Sequence, residues 1–223
     1  MKTGDKTKKK TPLENLPSDT IGVVCEYLNI NERNMLLGLS KTLRIEQKKF
    51  RYLNLKGWLS LKFYEDKNFR ETINNLVIYP HRQISLNLAG SPIVDVSILR
   101  NVHALNLCGC RKVVDVSALR NVHTLDLRYT SIVDVSALGN VHTLNLKYTF
   151  VQDVSALGNV HTLDLGWTPV EDVSALGNVH TLDLEHCKSI VDVSALGNVH
   201  TLCLKSTNVK DMSALGNVHI LLI

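Results

Sequence analysis

From residue 84 onward one segment, VDVSALGNVHTLDL, recurs with small changes to the C-terminal residue of the 223-residue chain. Asp95, Asp115, Asp134, Asp153, Asp172, Asp192 and Asp211 mark its register, at spacings of 20, 19, 19, 19, 20 and 19 residues. So short a period leaves little choice of fold. Each unit is one supersecondary turn, too small to bury its own apolar face, so units must stack and share a core.

The columns of the repeat say how they stack. The common unit reads V-x-x-L-x-L-x-x-T-x-I/V, as in Val122, Leu125, Leu127, Thr130 and Ile132, or Val160, Leu163, Leu165, Thr168 and Val170. The Leu-x-Leu alternation has the period of two that marks a strand with both leucines inward. Eight such strands are expected, from Leu86–Leu88 to Leu221–Ile223. At about 4.8 Å apart they would form one parallel sheet roughly 34 Å long. The column Ser91, Cys110, Thr130, Thr149, Thr168, Cys187 and Thr207 should turn inward and satisfy loop backbone groups. The extra residue of the longer units accompanies cysteine both times, at Cys110 and Cys187, which implies two loop geometries. The marker aspartates precede Val-Ser-Ala-Leu, or Val-Ser-Ile-Leu after Asp95 and Met-Ser-Ala-Leu after Asp211, and should cap short 3₁₀ turns. The chain then turns back at Gly139, Gly158, Gly177, Gly197 and Gly216. Arg100 and Arg120 share that column, so the following asparagine is the better seat for a left-handed backbone.

This pattern resembles the leucine-rich-repeat signature, with Thr in place of the usual Asn or Cys. The resemblance implies an α/β repeat fold: a leucine-rich-repeat solenoid with a parallel sheet and short helical turns, whose exposed face binds proteins.

Charge and composition exclude several classes. Residues 1–10 carry five lysines against one aspartate and account for the net charge of +4. Residues 84–223 carry nine Lys and Arg against twelve Asp and Glu. The repeats are therefore no basic surface for nucleic acid. The tail, residues 1–12, reads as a disordered solubilising arm, or else a nuclear signal or a tether to an anionic surface. No apolar run approaches the roughly 20 residues of a membrane helix, and no secretory h-region precedes the repeats. Five cysteines, an odd number, read as reduced thiols. A cytoplasmic protein without cofactor or metal is expected. One histidine per unit (His103, His123, His142, His161, His180, His200 and His219) reads as a structural ladder. A pH-sensitive array or a metal site is the alternative. No nucleophile stands with a base, so no enzyme is expected.

Differences between units point to a binding surface. They concentrate just after each strand: Ala89-Gly90, Cys108-Gly109, Arg128-Tyr129, Lys147-Tyr148, Gly166-Trp167, Glu185-His186 and Lys205-Ser206. Tyr129, Tyr148 and Trp167 should stack on consecutive units. With Asp126, Arg128, Lys147, Asp164 and Glu185 they make the candidate site for a client protein. The bland alternative is that these rings merely cover the turn. The last unit reads His219-Ile220-Leu221-Leu222-Ile223, with Ile220 and Leu222 in columns that are polar in most other units. An apolar edge of this kind suits self-association, or minimal capping.

Residues 13–50 have helical periodicity, with Ile21, Val24, Cys25 and Leu28 on one face and Met35, Leu36 and Leu39 on the next. The run Leu16-Pro17, Asp19, Ile21, Val24, Tyr27-Leu28, Leu36 and Leu39-Ser40-Lys41 resembles an F-box. That resemblance implies binding to the Skp-type adaptor of an SCF ubiquitin ligase through Leu16, Pro17, Ile21, Val24, Leu28, Leu36 and Leu39. The near-identical repeats are similar to those of F-box/leucine-rich proteins of large DNA viruses infecting amoebae, which implies a host adaptor and host cytoplasm. The other reading of residues 13–50 is a helical cap on the first coil. Residues 51–83 are expected to form irregular connecting coils.

Overall fold

The computed structural model describes residues 52–55, 57–76 and 83–223. Nine strands form one parallel sheet in chain order. They are β1 (Tyr52–Leu55), β2 (Gln83–Asn87), β3 (Ala104–Asn106), β4 (Thr124–Asp126), β5 (Thr143–Asn145), β6 (Thr162–Asp164), β7 (Thr181–Asp183), β8 (Thr201–Cys203) and β9 (Ile220–Leu222). The register is as the leucines demand. Leu105 pairs with Leu125, Leu125 with Leu144, Leu144 with Leu163, and Leu163 with Leu182.

Each strand from β3 to β9 centres on the first leucine of its pair, one residue earlier than expected. The second leucine still donates its amide across the sheet, as from Leu127 to the Asn145 carbonyl at 2.9 Å, but the chain then bends away. Both leucines point inward. Val122, Leu125, Leu127, Ile132, Val135 and Leu138 are all buried, and the same columns repeat in every coil to make one continuous core. Burial of each such side chain contributes roughly 1.5–3 kcal/mol.

The marker aspartates do cap 3₁₀ turns. Asp134 Oδ1 accepts the Ser136 amide at 2.9 Å before the turn Ser136–Leu138. Asp95, Asp115, Asp153, Asp172, Asp192 and Asp211 repeat the bond at 2.8–2.9 Å. The inward polar column divides in two. Thr130, Thr149 and Thr168 each donate Oγ1–H to the leucine carbonyl three residues back in their own coil, at 2.6 Å. Cys110 and Cys187 instead donate Sγ–H to the preceding coil, at the Leu88 and Leu165 carbonyls, 3.0 Å away. The longer loop thus swaps an internal bond for one between coils.

One backbone expectation is corrected. Gly139, Gly158 and Gly177 are right-handed, with φ −60°, and no asparagine after them has positive φ. The column is tight for a different reason. A Cβ on Gly139, Gly158 or Gly177 would stand 2.4–2.5 Å from an alanine carbonyl oxygen of the next coil. The left-handed residues lie elsewhere, just past each strand.

Within 51–83, the described residues 52–55 and 57–76 are more regular than expected. Strand β1 is followed by α1 (Trp58–Glu65) and α2 (Lys67–Leu76). Asp66 starts α2 by accepting the Phe69 amide at 3.0 Å, and Arg70 reaches back to the Phe63 and Tyr64 carbonyls that end α1. Buried Ser60 ties this first coil to the sheet: its hydroxyl donates to the Leu55 carbonyl and accepts the Asn87 amide. Alternating burial fails to show in the sequence here because two helices fill the space that a 3₁₀ turn takes later. The tail, the F-box-like segment and its seven candidate residues lie outside the described residues.

Candidate interaction surface

Each of the strands β2 to β8 ends in a four-residue turn. In the fourth coil the Thr130 amide closes it on the Leu127 carbonyl, so Arg128 and Tyr129 are its central residues. The third position of this turn takes positive φ in seven coils: Gly90, Gly109, Tyr129, Tyr148, Trp167, His186 and Ser206, at 56–73°. Glycine occupies that conformation freely. A side chain there is strained, at a cost of order 1 kcal/mol. The turn works with glycine in two coils, so the rings at four others are not needed to make it.

Those rings form a stack. Tyr129 and Tyr148 have centroids 4.5 Å apart, Tyr148 and Trp167 5.4 Å, and Trp167 and His186 3.9 Å, with planes within 27° of parallel. Tyr129 is 48% and Trp167 45% exposed. The three expected aromatics therefore come together, and His186 joins them as a fourth rung. His186 stood in the variable column, but its type does not announce an aromatic stack.

Beside the stack runs the strand column Asn87, Asn106, Asp126, Asn145, Asp164 and Asp183. Each accepts, through Oδ1, the amide two residues on, at 2.8–3.1 Å. Asp126 and Asp164, expected to meet a client, are thus first of all turn caps. Asp126 also clamps the Arg128 guanidinium, with contacts down to 2.7 Å that push the arginine still further into its charged form. Asp164 is held above the usual carboxylate range, chiefly by burial, although it accepts the Gly166 amide and an Asn145 Nδ2–H.

Lys147 and Glu185 meet across an intervening coil. Lys147 Nζ donates to Glu185 Oε2 at 2.6 Å, which raises the lysine and lowers the glutamate. The lysine stem passes over Gly166, where a Cβ would stand 3.2 Å from Lys147 Cδ and Cε. Gly166 between Lys147 and Glu185 in its column is the sequence signal for that bridge. All eight candidate residues line one surface, and each charged one among them is engaged by a neighbour or a cap.

A second ring stack follows the histidine column. His103, His123, His142, His161, His180, His200 and His219 lie ring on ring at 4.5–4.8 Å. It is the ladder the sequence suggested. Cys110 and Cys187 are fully buried, as core residues should be. At the far edge of the sheet, Ile220 and Leu222 are exposed on β9. Among the described residues no helix is long and apolar enough to cross a membrane.

No protein-family model and no curated protein matches the chain. Solved structures do. An internalin, inlF, from Listeria monocytogenes superposes with a TM-score of 0.52 at 25% identity, over 61% of this chain and 46% of its own. Internalin C2 of the same organism gives 0.46 at 27% identity, over 63% of this chain and 66% of its own. TLR13, in a complex with ssRNA13, gives 0.55 at 15% identity, over 79% and 30%. The chain thus spans less than half of inlF and TLR13. With the nine-strand parallel sheet and its 3₁₀ turns, the likenesses to inlF and TLR13 establish a leucine-rich-repeat solenoid fold.

Proposed function

We propose that this chain is a non-enzymatic protein-binding adaptor that captures a client protein on the stack Tyr129–Tyr148–Trp167–His186. The observation that carries the reading is the left-handed backbone under all four rings, kept where glycine would relieve the strain. Rigid aromatic side chains with low entropy to lose are the residues that dominate interface energetics. Arg128 and Lys147, each locked to a carboxylate, hold the flanks of the surface in one geometry. The likeness to internalin and TLR13 supports a repeat fold suited to binding.

The F-box-like residues Leu16, Pro17, Ile21, Val24, Leu28, Leu36 and Leu39 make the adaptor's other partner a Skp-type subunit of an SCF ubiquitin ligase. The resemblance to F-box/leucine-rich proteins of amoebal viruses makes that subunit a host protein, met in the host cytoplasm. Pull-down from an amoebal lysate with mass spectrometry tests both halves. Replacing Leu16, Ile21 and Leu28 with aspartate should remove the Skp-type subunit and leave client capture intact. Replacing Tyr148 and Trp167 with glycine should do the reverse. Undiminished Skp-type binding by the folded triple variant would falsify the ligase assignment.

A second reading is a stand-alone module that self-associates through β9, favoured by the exposed Ile220 and Leu222. It requires concentration-dependent light scattering that Leu222→Lys abolishes; a monomer at every concentration rules it out.

A further inference from the structure

The histidine ladder is not used by client capture, and its chemistry points elsewhere. Seven imidazoles are brought to one line by the solenoid itself. Their backbones are part of the sheet ladder, as where the His142 amide donates to the His123 carbonyl at 3.0 Å, so the line is rigid. His123, His142, His161, His180, His200 and His219 are exposed, and His103 is half-buried.

One ring nitrogen is engaged. In His123, His142, His161 and His200, Nδ1 lies 3.2 Å from the hydroxyl of the following threonine. The tautomer that donates Nδ1–H to that hydroxyl carries its lone pair on Nε2. This is the arrangement that orients imidazole for a metal: one nitrogen held by an oxygen, the other presented as ligand.

The spacing is right for a pair. Metal–nitrogen bonds of about 2.1 Å at a right angle bring two ring nitrogens about 3 Å apart. Adjacent ring centroids lie 4.5–4.8 Å apart, so two rings need only lean their Nε2 ends together. The ring planes are not locked parallel: His103–His123, His161–His180 and His200–His219 depart from parallel by 28–37°. No group of three or more metal-ligating side chains converges among the described residues, so the unit of binding is two histidines with water completing the shell.

We propose that the histidine ladder is a row of two-histidine sites for divalent transition metals of the imidazole-preferring class, copper, nickel and zinc. Each site is made by neighbouring coils, and any adjacent pair serves. Imidazole suits these ions, while magnesium and calcium take oxygen ligands.

Adjacency is the testable claim. His123→Gln, His161→Gln and His200→Gln together leave four ladder histidines, no two on neighbouring coils. His103→Gln, His200→Gln and His219→Gln together also leave four, all on neighbouring coils. Both variants keep His81, His186 and every cysteine, so background binding is matched. Nickel and copper ions alone are titrated at pH 7.5 by calorimetry, and copper is read by electron paramagnetic resonance. The contiguous variant should bind as the parent does, with two nitrogens coupled to copper. The alternating variant should bind about tenfold more weakly, or worse, with one nitrogen coupled, because the second ligand is no longer held at high effective concentration. Equal affinities, or two coupled nitrogens in the alternating variant, would overturn the proposal. Should that variant fail to fold, replacing His103, His142, His180 and His219 leaves His123, His161 and His200, again no two on neighbouring coils, to be compared with a variant that keeps only His142, His161 and His180.

Discussion

At the scale of single residues, two positions in one column can obey opposite rules. Gly158 and Gly216 are equivalent in sequence, yet only Gly158 faces another coil, with the Ala175 carbonyl oxygen 2.5 Å from where its Cβ would be. The structure places nothing within 4 Å at Gly216. Both are right-handed, so dihedral strain plays no part. Gly158→Ala is expected to destabilise by about 1–3 kcal/mol through overpacking. Gly216→Ala should leave urea unfolding unchanged within about 0.5 kcal/mol. Equal effects at the two sites would mean that the close approach is not what selects glycine. Asp164 offers the reverse case. Burial raises its carboxyl, so folding favours the protonated form and the ionised form is a burden at neutral pH. Asn87, Asn106 and Asn145 fill the same column and make the same amide cap. Asp164→Asn should therefore raise the unfolding midpoint at pH 7, by about 0.5–1 kcal/mol. The gain should shrink as pH falls and the native aspartate takes up its proton. A gain independent of pH would exclude the electrostatic cause.

At the scale of the element, the 3₁₀ turns and the histidine ladder respond to acid in sequence. His103 and His200 are depressed by burial and by neighbouring imidazoles, so their neutral forms belong to the folded state. Their contribution is present above pH 6.5, the unfolded value, and is lost as pH falls through the lowered folded value. The seven capping aspartates are held below 3.8, most by the amide two residues on and Asp153 and Asp172 first by the neighbouring serine hydroxyl. Their contribution survives above that pH and is lost beneath it. Thermal unfolding followed by circular dichroism should show a shallow decline below pH 6.5 and a steeper one below pH 3.8. His103→Gln with His200→Gln should flatten the first decline alone. A single transition near pH 4 in both proteins would remove the ladder from the account. The sequence made these elements legible because one residue type per column names its role: aspartate caps, leucines turn inward, cysteine accompanies a longer loop. It was silent where a role depends on the neighbouring coil. The clash at Gly158, the lysine bridge over Gly166 and the left-handed turn under Tyr129 are contacts or conformations created by stacking.

At the scale of the molecule, stability is shared between coils through their faces, and a coil's value depends on how many neighbours it has. The coil of β5 is enclosed on both sides, with Leu144 paired to Leu125 and Leu163 and about 1% exposed. The coil of β9 pairs with β8 alone among the described strands, and Leu221 is only half-buried. Removing the same three carbons at the two places therefore has different consequences. Leu144→Ala opens a cavity that two interfaces share and should cost about 3 kcal/mol. It should also weaken the coupling of the coils before it to those after it, so the denaturant transition becomes less steep as well as earlier. Leu221→Ala should cost about 1 kcal/mol and leave the steepness unchanged, since only the last interface loosens. Hydrogen exchange separates the two cases by location. Amides of β4, β5 and β6 lose protection in the first variant, and those of β8 and β9 alone in the second. The aromatic stack runs over the coils that Leu144 supports, so the first variant should also weaken client capture while the second spares it. Were both substitutions to cost the same and unfold with the same steepness, the coils would be folding as one indivisible unit, and the ring stack could not be loosened by weakening one coil beneath it.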